Sequence, residues 1–261
     1  MTLGDLLDEL RQNILSDRTD QIAGASDQLW TDKTLIRYIN EAQDRFAKRA
    51  EVLRDATTPE VCQVTTSVGI DRYTLNPKII GILSARMTGA AVDLARAGHA
   101  NLDTYRPADN RWFDVNSIPA TTPGRTIAFT TDEGLVADGL NSLNAMVLRT
   151  FPNVGTGFDS VMNLRVVRFP LRCLKLDDLD AEPEVPPQYH MNMLDWAGYL
   201  ALRRPDLDVA GGDAPGRAKE LAASFEQHVL DAKRELKRRL FAPAAWQFGG
   251  NGFTYERDWN G

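Results

Sequence analysis

The chain has 261 residues and a mass of 29.0 kDa, enough for one large domain or two small ones. Hydrophobic residues make up 43% and charged residues 25%, a globular balance that excludes wholesale disorder, a collagen-like repeat and a disulfide-stapled miniprotein. The net charge of −6 argues against tight non-specific DNA binding, which depends on neutralising phosphates.

Nothing approaches the roughly 18 consecutive apolar residues of a membrane span, so no membrane partner is expected. Met1-Thr2-Leu3-Gly4-Asp5 lacks the basic and apolar regions of a signal peptide. Cys62 and Cys173 are too far apart for a zinc knuckle or a redox pair and suit a reducing cytosol.

Taken in chain order, Leu3, Leu6, Leu7, Leu10, Ile14 and Leu15 recur at helical spacing, with Thr2 available as N-cap. Residues 16–28 are polar and read as a loop. Thr31 or Asp32 then opens a second helix with the stripe Leu35, Ile36, Ile39, Ala42, Phe46, Ala47, Ala50 and Leu53. Asp32 at its start and Lys48, Arg49 and Arg54 near its end complement the helix dipole. Ala56-Thr57-Thr58-Pro59 is the predicted stop, because Pro59 biases Thr58 away from helix.

The period then changes to two. Strands are predicted over 61–68, 73–75, 79–87, 126–131, 145–151 and 161–171, with Val68-Gly69-Ile70-Asp71-Arg72 turning between the first two. Short strands separated by Gly and Pro, with no long helix between them, point to an antiparallel region. Beyond the Pro-rich link 183–187, helical spacing returns at Met191, Leu194, Trp196, Ala197, Leu200 and Ala201, and Pro205 ends it. A last helix over about 214–240 carries Ala218, Leu221, Ala222, Phe225, Val229, Ala232 and Leu236. The fold class is α+β. An antiparallel helical module (1–56 and 183–240) brackets a β-rich, antiparallel insertion (57–182), and an extended C-terminal arm follows (241–261).

Catalytic chemistry finds little support. His99, His190 and His228 have no ligand partners at metal-binding spacing and read as structural or surface residues. There is no Gly-x-Ser-x-Gly elbow, no His-Glu-x-x-His and no P-loop; Gly155-Thr156-Gly157 reads as a strand turn. The acidic run Asp177, Asp178, Asp180, Glu182 and Glu184 could gather oxygen ligands, but it lacks the glycine and terminal glutamate of a calcium loop and reads as a solvated linker. Cys62 and Cys173 fall in strand-like stretches, where a buried thiol is a small hydrophobe. No catalytic residue, metal or cofactor is assigned.

Two features suit partner contact. Lys233, Arg234, Lys237, Arg238 and Arg239 close the last helix, where they stabilise its C-terminus and can meet an acidic surface or a phosphate backbone. Residues 241–261 hold Phe241, Trp246, Phe248, Phe253, Tyr255 and Trp259, six of the chain's 21 aromatics. Interleaved glycines and Pro243 prevent a regular helix there, so the rings either pack back on the parent domain or anchor the arm to a partner.

The run Leu29-Trp30-Thr31-Asp32-Lys33-Thr34-Leu35-Ile36-Arg37-Tyr38-Ile39-Asn40-Glu41-Ala42-Gln43 resembles the head-to-tail adaptor (connector) proteins of tailed bacteriophages. Arg54-Asp55-Ala56-Thr57-Thr58 and 69–75 are similar to that family's helix exit and first hairpin. The likeness resumes at Glu182-Pro183-Glu184-Val185-Pro186-Pro187-Gln188-Tyr189-His190, before a helix with Trp196 and Tyr199 and a long basic-ended one. It covers about 26–83 and 182–240. The resemblance implies a non-enzymatic protein of the virion neck, made in the host cytoplasm. It implies a ring, usually of twelve subunits, beneath the portal. Its partners would be the portal protein, neighbouring subunits and a tail or nozzle component, with double-stranded DNA passing through without sequence-specific binding. The C-terminal arm would run along the portal. Two other readings remain: a β-rich surface- or glycan-binding module with Trp112 and Phe113 as a stacking pair, and a hydrolase with a metal at the acidic run.

Overall fold

A computed structural model describes residues 1–15, 29–96, 126, 128–132, 146–151, 154–158, 160–203 and 214–241. The chain divides into two compact units, Met1–Val52 with Leu174–Gly261, and Leu53–Cys173.

The first unit is helical. Helix α1 (Leu3–Glu9) begins with a capping box: Thr2 Oγ1 accepts from the Asp5 N–H while the Asp5 carboxylate accepts from the Thr2 N–H. The predicted single helix does not continue as α. Leu10–Leu15 forms a π-helical turn, buried at Leu10, Arg11 and Leu15. From it, the Arg11 guanidinium donates to Trp30 O at 2.8 Å and to the Asp32 carboxylate at 2.5 Å. That bond ties the turn to the start of α2 (Asp32–Ala50), which Thr31 caps. Helix α2 ends before the predicted stop, because Glu51 takes a left-handed conformation (φ 57°) and its N–H bonds Ala47 O. Leu53 and Arg54 therefore lie outside the helix.

A 3₁₀ turn (Pro187–Tyr189) leads into α4 (His190–Leu202), and α5 spans Ala214–Phe241. Helix α4 is apolar around most of its circumference because it packs against α1, the π turn, α2 and α5 together. Gly198 marks the closest approach: a Cβ there would lie 2.5 Å from Ile14 Cγ2 and 3.0 Å from Leu221 Cδ1.

The second unit holds β1 (Arg54–Asp55), α3 (Pro59–Cys62), β2 (Gln63–Thr65), β3 (Arg72–Thr74), β4 (Ile79–Met87), β5 (Ala95–Arg96), β6 (Ala128–Asp132), β7 (Val147–Phe151) and β8 (Val161–Arg168). In one sheet β8 is central, with β1, β2 and β4 all paired antiparallel to it. The other runs β3-β7-β6-β5. Both contribute to one core, with Ile82, Ala85, Met162, Leu164 and Val166 from the first and Tyr73, Phe129 and Leu148 from the second.

Several expectations need correction here. The stretch 61–68 is not one strand: Pro59 sits at the favoured first helical position and starts α3. The predicted hairpin does not form. Strand β2 joins β8, β3 joins β7, and Gly69 (φ +80°) turns the chain from one sheet to the other. The block is not wholly antiparallel, because β5 runs parallel to β6. Cys62 ends α3 and is buried, whereas Cys173 is exposed and outside any strand. Burial, followed by the nearby Asp55, pushes the Cys62 thiol up to about 11, so it stays protonated and inert.

Candidate functional site

Helix α5 is held to α2 and α4 by an aromatic cluster ahead of its basic end. Phe225 on α5 lies 5.9 Å from Phe46 on α2 and 5.2 Å from Trp196 on α4, and Phe46 also meets Tyr189 at 5.4 Å. The Arg45 guanidinium covers the Trp196 ring at 3.7 Å. Around this core, Tyr189 donates to Glu235 at 2.6 Å, Arg49 pairs with Glu226 at 2.6 Å and Lys233 with Glu51 at 3.6 Å. The Tyr189 bond, with help from Arg239, holds the Glu235 carboxyl below its ordinary range, while burial pushes the Tyr189 hydroxyl up.

The five predicted basic residues lie together on the last turns of α5. Lys233 is drawn to Glu51, Arg234 to Asp231 at 3.1 Å, and Arg239 to Glu235. Lys237 and Arg238 are exposed. Of the aromatic arm, Phe241 closes α5; its side chain, with Trp246, Phe248, Phe253, Tyr255 and Trp259, lies outside the described residues. His99, Trp112 and Phe113 also lie outside them.

His190 is fully buried, and its Nε2–H donates to Val185 O at 2.7 Å. Burial lowers its pKa and keeps the ring neutral. His228 meets Ser224 and Asp195 between α4 and α5. Ser224 donates to Asp195 Oδ2 at 2.7 Å, and His228 Nε2 stands 3.2 Å from the hydroxyl and 3.4 Å from the same carboxylate. A catalytic triad needs the acid on the other ring nitrogen, so this trio is a helix–helix clasp. In the acidic run, Asp177, Asp178, Asp180 and Glu182 are exposed, and no group of three or more acids, histidines or cysteines suited to a metal occurs among the described residues.

Within the 29–43 run, two polar side chains of α2 reach a segment distant in sequence. Asn40 Nδ2 donates to Leu174 O and its Oδ1 accepts from the Leu174 N–H, each at 2.9 Å. One turn on, Gln43 Oε1 accepts from the Glu184 N–H at 3.1 Å. Together they fasten the returning 174–184 segment to the helix. Sequence reasoning quoted this Asn-Glu-Ala-Gln run without finding its role; the available signal was polar residues three apart on a helix otherwise striped with apolar ones.

These contacts define a clamped helical unit. Over residues 1–247 the chain matches the family described as SU10 adaptor protein, and it belongs to that family of phage head-to-tail adaptors. No curated protein matches it.

Proposed function

We propose that the chain forms a ring beneath the portal, in the neck between capsid and tail, where it extends the DNA channel and carries the tail components. The family match along 1–247 carries this reading. In it, the helical unit builds the ring, of twelve subunits closed by the rotation between neighbours, the β-rich unit meets a tail or nozzle component, and the arm (241–261) docks on the portal through Phe241, Trp246, Phe248, Phe253, Tyr255 and Trp259.

 The net charge of −6 suits a channel through which DNA slides without being held. Such a role needs no turnover and no cofactor; its chemistry is burial and fit.

The test is co-sedimentation with the portal particle encoded by the same genome, using the full chain and a version ending at Leu240. Binding by the full chain near one-to-one subunit stoichiometry, lost on truncation, supports both the adaptor and the arm. Binding by both versions keeps the adaptor and removes the role of the arm. Binding by neither overturns the portal reading and brings forward a β-rich surface- or glycan-binding module.

A further inference from the structure

Two exposed surfaces of the helical unit are complementary in both charge and apolar content. The first is the segment 175–182. Its backbone is anchored, because Leu179 O and Ala181 O accept from the Gly4 and Leu3 N–H groups at 2.9 and 2.8 Å, satisfying donors of the first turn of α1. Within the segment, the Asp178 N–H bonds Lys175 O at 3.2 Å and the Ala181 N–H bonds Asp178 O at 3.3 Å. Leu176, Asp177, Asp178, Leu179 and Asp180 are all exposed, and the two leucines are 51% and 45% accessible. A fixed backbone thus holds two leucines in water among three carboxylates.

The second surface is the outer side of α5, opposite buried Phe225, Val229 and Ala232. Leu230, Asp231, Arg234, Lys237 and Arg238 follow at helical spacing and are exposed, with Leu230 49% accessible. Asp231, the acid on this face, is already bonded to Arg234 and to Gln227. That pair is balanced, so the face offers a leucine followed by the net positive charge of Lys237 and Arg238.

We infer that neighbouring copies of this chain join through these surfaces, the 176–180 segment of one lying on the 230–238 face of α5 in the next. The inference rests on the ring reading and supplies its contact. Both surfaces belong to one compact unit and differ from each other, so their union is head-to-tail, the kind of contact whose repeated rotation closes a ring. A phosphate backbone would satisfy the cations but leave Leu230 facing water and the acidic leucines unused. A second copy buries all three leucines while pairing the charges around them. The charges lie at an exposed rim, so they select the partner and make the contact salt-sensitive, while leucine burial supplies most of the affinity.

Sedimentation velocity of the full chain over a concentration series, at low and high salt, tests this. Three variants are compared: Asp177→Lys/Asp178→Lys/Asp180→Lys, Arg234→Glu/Lys237→Glu/Arg238→Glu, and both sets combined. The unmodified chain is expected to associate with increasing concentration and less so in salt. Each triple variant alone should need at least about tenfold more protein to associate, the equivalent of about 1.4 kcal/mol. The combined variant should recover association, which a misfolded chain would not. Mixed together, the two triple variants should associate again in alternation, since each surface of one then meets the opposite charge on the other, whereas each alone stays dissociated. An unmodified chain that stays monomeric throughout, triple variants that associate like it, or a combined variant that fails to recover would each overturn the interface. Loss of DNA retardation by the α5 variant without change in self-association would overturn it in favour of a phosphate-binding face. Portal co-sedimentation separates the two levels: a monomeric chain that still binds the portal overturns this contact alone, whereas an unmodified chain that does not bind the portal overturns the ring reading beneath it.

Discussion

Asp55 carries five hydrogen bonds on two oxygens, from the N–H and hydroxyl of both Thr57 and Thr58 and from Arg168 Nε. It thereby fixes the turn after β1 and joins it to β8. Burial alone would raise its pKa, but the bonds from Thr58, Thr57 and Arg168 outweigh that and hold the carboxyl well below its ordinary 3.8. Asp55→Ala takes the carboxylate from the largely buried Arg168 guanidinium and should cost about 3 kcal/mol, read from urea unfolding. The stabilisation from the ionised form is full above 3.8 and is lost as pH falls through the lower folded value, so Asp55→Asn should flatten the acid limb of the stability curve. His190 acts in a higher window. Its folded pKa lies below the ordinary 6.5, so stability is full above 6.5 and falls as pH drops below it, until the folded value is passed. His190→Gln, which keeps a donor for Val185 O, should remove that slope between pH 6.5 and the folded value in a series of thermal melts.

At the scale of elements, the hooks on α2 and the close packing at Gly198 determine how the helical unit is assembled. Asn40→Ala removes two hydrogen bonds to Leu174 and should cost about 2 kcal/mol by chemical denaturation, with faster amide exchange along 174–184. Gly198→Ala gains about 1 kcal/mol of helix propensity but forces a methyl against Ile14 and Leu221. Overpacking should prevail, with a net loss of about 1–2 kcal/mol in the same measurement. Most elements were legible because burial imposed their period: the α2 stripe from Leu35 to Ala50, and the alternation of Met162, Leu164 and Val166 along β8. What escaped was set by partners remote in sequence. Asn40 and Leu174 are 134 positions apart, and a polar side chain reaching a distant backbone leaves no periodic trace. Strand β5 has two residues and follows the edge of β6, too short for any alternation to register. The π turn and the early end of α2 at Glu51 likewise depend on Arg11 reaching Asp32 and on a left-handed residue that is not glycine.

For the whole molecule, the buried side chains of α5 among the described residues are Ala218, Phe225, Val229 and Ala232, all ahead of the arm. A chain ending at Leu240 should therefore melt within about 2 °C of the full chain, a shift of under about 1 kcal/mol for a protein of this size, even where it no longer binds a portal. The family was legible in the run around Asn40 and Gln43, whose side chains fasten the 174–184 backbone. The topology also dictates when the protein can fold. Strands β1, β2 and β4 all pair with β8, and β3 pairs with β7, so every early strand waits for a late one. Helix α2 waits in the same way for α4 and α5. At about 5–20 residues per second on the ribosome, the apolar stripe of α2 is in the open for roughly ten seconds or more before its partners emerge. The nascent chain thus spends most of its synthesis as an unclosed circuit and completes both units only near the end of translation.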